Sequence, residues 1–113
     1  MQDFKGKWRI TEMELWDQEA IDLVCKAYIS FEGRAGGEFQ FICVHGYLDC
    51  VYSSNKTHSK VEFSWNGNDE CDPASGRGWA KIDKTGNMVG KIVFHQGDTS
   101  GFKARRFLAQ ERI

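Results

Sequence analysis

Short runs in which aromatic and β-branched residues alternate with polar ones recur along the whole chain, separated by clusters of Gly, Asn, Asp and Ser. A period of two places alternate side chains on opposite faces of an extended strand, and many such runs at short spacing are the pattern of a β-sandwich or barrel. Eight strands are predicted, over 7–16, 26–32, 38–44, 47–53, 60–65, 78–83, 89–95 and 101–108. Most connections run two to six residues, so an up-and-down antiparallel meander is the simplest topology. Between the third and fourth strands only His45 and Gly46 remain, and a two-residue turn needs a positive φ that Gly takes freely and His more readily than bulky residues. That turn sets Val44 opposite Tyr47 and Phe41 opposite Cys50, with Phe39, Phe41, Cys43, Leu48, Cys50 and Tyr52 on a continuously apolar inner face. Glu38, Gln40, Ile42, Val44, Tyr47, Asp49 and Val51 fall on the other face. Cys43 and Cys50 then become diagonal neighbours about 7–8 Å apart, too far for easy bridging.

Two connections are longer. Residues 17–25 open with the N-cap residue Asp17 and space Ala20, Ile21, Leu23 and Val24 as on a helix, predicting one or two helical turns. Residues 66–77 carry no strand or helix pattern and read as a loop, long enough to be functional or mobile. The first strand leaves two arrangements open. A regular strand from Trp8 carries Glu12 and Glu14 inward, where they need partners, whereas a β-bulge near Thr11 or Glu12 turns Met13 and Leu15 inward and both carboxylates to water.

Composition agrees with tight turns and many strands. Of 113 residues, 15 are aromatic, 12 are Gly and one, Pro73, is proline. This length predicts one domain, 1–113, burying roughly 65% of its unfolded surface. A formal net charge of −1 argues against a nucleic-acid partner, and the basic run Lys103, Arg105, Arg106, Arg112 reads as a solvated edge. The opening MQDFKGKWRI has no apolar leader core and no 18-residue apolar stretch occurs, so neither export nor membrane insertion is expected. A cytoplasmic location follows, with Cys25, Cys43, Cys50 and Cys71 as free thiols and the glycosylation signal at Asn55–Thr57 idle.

The run Phe4-Lys5-Gly6-Lys7-Trp8-Arg9-Ile10 resembles the G-x-W start of the calycins, the superfamily of lipocalins, fatty-acid-binding proteins and avidins. The resemblance implies a closed antiparallel barrel in which Trp8 plugs one end beneath an Arg of the last strand, Arg105 or Arg106, and a small molecule is held in the interior or mouth. The absence of an export leader makes the cytosolic branch of that superfamily the nearer analogue.

Other chemistry is weaker. Cys43, His45, Cys50, Cys71 and Asp72 contain metal-ligand types but no paired C-x-x-C spacing, so structural thiols are the better reading. Asn66, Asn68, Asp69, Glu70 and Asp72 crowd oxygens into one segment without the spacing of a calcium loop, and read as a solvated loop. His45, His58 and His95 fall at or near strand ends, no G-x-S-x-G is present, and the acids flanking Cys71 oppose thiolate formation. No cofactor is expected. Among the aromatics, Phe39, Phe41, Phe63 and Phe94 are assigned to filling the barrel and Trp16, Trp65 and Trp79, beside long connections, to its rim.

The sequence thus predicts an all-β, calycin-like barrel of about eight strands with one short helical segment near 17–25. It binds a small apolar or aromatic molecule at the mouth through Trp16, Tyr28, Phe41, Tyr52, Trp65, Trp79 and Arg105, as a monomer or homodimer. A protein-interaction module with a filled barrel and Trp-rich rim is the second reading, and a small enzyme using Glu12, Glu14 or His95 with Arg105 the third.

Overall fold

The computed structural model describes residues 3–54 and 59–107. Eight strands run β1 (Gly6–Met13), β2 (Tyr28–Glu32), β3 (Gly36–Phe41), β4 (Val44–Ser54), β5 (Ser59–Asp69), β6 (Asp72–Ile82), β7 (Met88–Phe94) and β8 (Thr99–Arg106), with one helical turn, α1 (Gln18–Ile21), between β1 and β2. Each strand pairs with its sequence neighbours and β8 returns to β1, closing an antiparallel up-and-down barrel. The glycosylation signal, His58 and the terminal Arg112 lie outside the described residues.

Small barrels of this strand number are just wide enough to be filled by side chains. Here Trp8, Ile10, Ile29, Phe31, Phe39, Phe41, Val61, Met88 and Ile92 are fully buried on the inner face. Trp8 closes one end: its indole Nε1 donates to the Phe4 carbonyl at 2.9 Å, and the Arg106 guanidinium lies 3.9 Å above the ring. Of the two candidate arginines it is Arg106, opposite Trp8 in register, that stacks. Arg105 stands opposite Arg9, one residue out of phase and on the outer face.

The bulged form of β1 is the one adopted. Its pairing with β8 shifts between Ile10 and Glu12, Met13 is buried, and Glu12 and Glu14 are exposed. Glu14 instead accepts the Gly101 backbone N–H at 3.2 Å. Leu15 departs from expectation and is 47% exposed, because β1 ends at Met13 and its alternation stops there.

Two further expectations are corrected. The β3–β4 turn is Ile42–Cys43, three positions before His45–Gly46, so that Phe39 faces Gly46 and Phe41 faces Val44. The partners move by six positions, an even number, and the inner face of Phe39, Phe41, Leu48 and Cys50 is preserved. Cys43 leaves that face for the turn, and Val44 joins it at 3% exposure. Gly46 is held inside the strand by close approach: a Cβ there would meet the Phe39 ring at 2.6 Å and the Trp65 ring at 2.8 Å.

Residues 66–77 are not a loop but the tip of a long hairpin in which β5 and β6, eleven residues each, pair from Lys60↔Lys81 to Asp69↔Asp72. Pro73 sits opposite Asn68, beyond the start of β6–β7 pairing at Gly76↔Phe94, where its missing N–H interrupts no ladder. All four cysteines are free, as expected.

Candidate functional site

The β1–β2 connection and the β3–β4, β5–β6 and β7–β8 turns all lie at the barrel end opposite the Trp8 plug. The connection is a strap. Asp17 caps α1 by accepting the Ala20 N–H at 2.9 Å, Ile21 is fully buried, and the Ile21 carbonyl accepts the Ile42 N–H at 2.8 Å. Its far side is tied down by Asp22, whose two oxygens take Arg9 Nη1 and Nη2 at 2.6 Å each and which also accepts the Ala27 N–H at 2.8 Å. The Arg9 guanidinium holds the Asp22 carboxyl at about 2, aided by the Ala27 and Gln18 donors and opposed by burial.

Backbone strain is concentrated at the same end. Among the described residues the non-glycine positions with positive φ are Ile42 (53°), Glu70 (55°) and Gln96 (57°), one in each of the three turns around the mouth. At the opposite end the positive-φ positions are Gly6, Gly33 and Gly86. A β-branched residue in this region is an outlier, and such positions cost about 1–3 kcal/mol each and cluster at functional sites. The turns are cross-linked: Glu70 N–H donates to the Cys43 carbonyl at 3.0 Å, and His95 N–H to the Ser75 carbonyl at 2.8 Å.

Inside this ring a cavity of about 330 Å³ is lined by Trp16, Phe41, Ile42, Val44, Phe94 and Gly97, with Asp69, His95 and Asp98 at its rim. Its aromatic lining, Trp16, Phe41 and Phe94, continues into the core as a run of rings in mutual contact. Trp16 lies 5.7 Å from Phe41 and 6.5 Å from Phe94, Phe41 and Phe94 meet edge-on at 6.1 Å, and Trp65 meets Phe94 at 5.2 Å and Phe39 at 4.9 Å. The Trp65 Nε1 donates to the Val93 carbonyl at 3.2 Å, so the indole is fixed and its polar edge is satisfied. Asp69 is oriented by the Cys43 thiol, which donates to its Oδ1 at 3.3 Å and faces Glu70 Oε1 at 3.6 Å. Desolvation and these two carboxylates push the Cys43 thiol up to about 11, so it stays a donor.

Of the residues singled out from sequence, Trp16 and Phe41 come together here; Trp65 is buried in the barrel against Phe94 and Phe39 and does not line the cavity. The others are placed elsewhere. Tyr52 packs at the opposite end, 5.7 Å from Phe4 and 6.4 Å from Phe31, its buried hydroxyl without a hydrogen-bond partner among the described residues. Tyr28 lies on the outer wall beneath Lys7 Nζ, 4.2 Å from its ring, with its hydroxyl pushed up to about 12 by burial and by Glu38. Trp79 is on the outer face between Lys60 and Lys81, each 5.5 Å from the ring. Arg105 Nη1 donates to the Arg106 carbonyl at 3.0 Å, away from the mouth.

Phe94, assigned to filling, instead lines the cavity, and Ile42, Val44, Asp69 and Asp98 were not selected. The signal for Asp69 was present: Val61, Phe63, Trp65 and Gly67 continue a period of two that carries β5 to the mouth, provided Gly67 is counted as an inner position. A second, more open concavity of about 590 Å³ lies along β4–β6 among Tyr47, Asp49, Ser64, Asn66 and Arg77, reaches in to Trp65, and shares His95 with the mouth. Among the described residues no cluster of three or more His, Cys, Asp or Glu is arranged to hold a metal ion. No helix among them is long and apolar enough to cross a membrane.

Comparison with known protein families, with curated proteins and with solved structures finds no match to this chain. The class this chain's fold defines is the closed eight-stranded up-and-down antiparallel barrel.

Proposed function

We propose that this barrel binds a small apolar or aromatic molecule at its mouth, on the floor formed by Trp16, Phe41 and Phe94. The observation that carries the reading is the 330 Å³ cavity lined by those rings at the end where all three strained non-glycine turns converge. Ligand sites are typically concave, mostly apolar and fitted with a few convergent polar groups, which describes this end of the molecule. The barrel interior is occupied by Phe31, Phe39, Phe63 and their neighbours, so the site is at the mouth and not in the central channel. The Trp8–Arg106 stack beneath an eight-stranded meander supports kinship with the calycins, and the four free thiols suit a reducing, cytoplasmic compartment.

A second reading, a protein-interaction module, draws support from the same filled interior and from the exposed Leu23 and Val24 on the strap and Tyr47 and Val51 on β4, which are 57–70% accessible. Native mass spectrometry of the protein from its source cells separates the two. A co-purifying small mass whose binding is lost in Trp16→Ala supports the mouth site. A clean apo mass beside a stable heterocomplex overturns it in favour of the second reading.

A further inference from the structure

Resting on the mouth reading, we infer that the ligand is an organic cation, a small ammonium with an apolar or aromatic body. The charged side chains at the cavity rim are Asp69 and Asp98, with the His95 imidazole between the mouth and the outer groove, and no Lys or Arg lines it. Glu70, on the same turn as Asp69, and Asp72, opposite Asp69 in the hairpin, add further negative charge at this end. None of these four carboxylates has a Lys or Arg partner within 4 Å among the described residues, whereas Glu12, Asp22 and Glu62 elsewhere on the barrel do. Asp69 is held by its side chain and Asp98 is placed by its backbone. The Cys43 thiol holds Asp69, and the Asp98 carbonyl accepts the Phe94 N–H at 2.9 Å within the tight β7–β8 turn.

The cavity beneath them is the independent half of the argument. Its lining includes the partly exposed rings of Trp16 and Phe94 over the buried Phe41, and an aromatic ring attracts a nearby cation through its quadrupole, most strongly for Trp. Neutral apolar compounds would gain only the burial, and a carboxylate ligand would meet both the ring faces and the acidic rim with the wrong sign. An ammonium group at the rim beside Asp69 and Asp98, with its hydrocarbon part against the Trp16 and Phe94 rings, would meet both the acidic and the apolar parts of the lining.

The test uses three compounds of matched shape, 2-phenylethylamine, 2-phenylethanol and 3-phenylpropanoate, titrated calorimetrically into the full chain at neutral pH. The amine is expected to bind about tenfold more tightly than the alcohol, and the acid most weakly. The preference for the amine should shrink severalfold on raising salt from about 20 to about 500 mM, which contracts the Debye length to a few ångströms. It should also be largely lost in the isosteric double variant Asp69→Asn, Asp98→Asn. Equal affinity for amine and alcohol, both dependent on Trp16, overturns the cation inference and leaves the mouth site standing. Failure of all three to bind in a Trp16-dependent way overturns both.

Discussion

Replacing Asp22 by Asn removes one negative charge from the strap while keeping its shape. In the folded chain the Asp22 carboxyl is lowered from 3.8 to about 2, chiefly by the paired Arg9 bonds at 2.6 Å. At about 1.36 kcal/mol per pH unit, that shift corresponds to roughly 2 kcal/mol of stability at neutral pH. The Asp22 side chain retains 23% of its exposure, so solvent screening brings the expected loss to about 1–2 kcal/mol. For a chain of this length the melting midpoint should fall by about 4–8 °C. The sign of the pH dependence is set by the depressed folded value: the stabilisation is complete above about pH 4 and is lost as pH falls toward 2. Urea unfolding of wild type and Asp22→Asn should therefore differ by about 1–2 kcal/mol at pH 7 and by only about 0.5 kcal/mol or less near pH 2, where the wild-type carboxyl is half protonated. An equal gap at pH 7 and pH 2 would refute the assignment of this energy to the Arg9–Asp22 charge pair. It would place the loss in the Ala27 and Gln18 hydrogen bonds instead.

Three other outcomes follow from the same geometry. Gly46→Ala should destabilise the barrel by about 2 kcal/mol or more, because the new methyl would lie 2.6 Å from the Phe39 ring and 2.8 Å from Trp65; thermal denaturation reads this directly. Arg106→Ala removes the guanidinium over Trp8 and donors to the Lys5 and Asp3 carbonyls at 2.6 and 2.8 Å, so a loss of about 1–3 kcal/mol is expected, accompanied by a shift in tryptophan emission. With its thiol near 11, Cys43 should alkylate at pH 8 about ten- to a hundredfold more slowly than an ordinary exposed thiol. Asp69→Asn should speed that modification, as mass-spectrometric mapping over time would show.

Alternation of apolar and polar residues was enough to establish an all-β meander, the number of strands, the inner face Phe39, Phe41, Leu48 and Cys50, and the Asp17-capped turn of helix. These depend on local geometry: a period of two and an N-cap are properties of a few consecutive residues. The bulge in β1 was legible as one of two arrangements, because burying unpaired Glu12 and Glu14 would be costly whatever lay around them. Register at the β3–β4 turn was not legible. A glycine such as Gly46 looks locally like a turn residue, and only the rings of Phe39 and Trp65, brought from β3 and β5, reserve it for the barrel wall. For the same reason residues 66–77 resembled a loop. Gly67 and Gly76 give no hydrophobic alternation, yet each meets another strand's backbone so closely that a Cβ would collide.

The candidate site depended most on tertiary structure. Trp16 was recognisable as an aromatic beside a strap, but its partners Phe41, Asp69 and Phe94, each the last residue of a strand, and Asp98 in the β7–β8 turn are spread over 57 positions, from Phe41 to Asp98, and meet only when the barrel closes. Tyr28, Trp79 and Arg105 belong to the outer wall, a fact set by the phase of each strand and not by residue type. The chain by itself determined that it would form strands and which faces would be apolar, since those follow from spacing along the backbone. Which aromatics share a mouth, and which acids stand over them, was decided by closure and register, because contacts between distant strands are written in no single stretch of sequence.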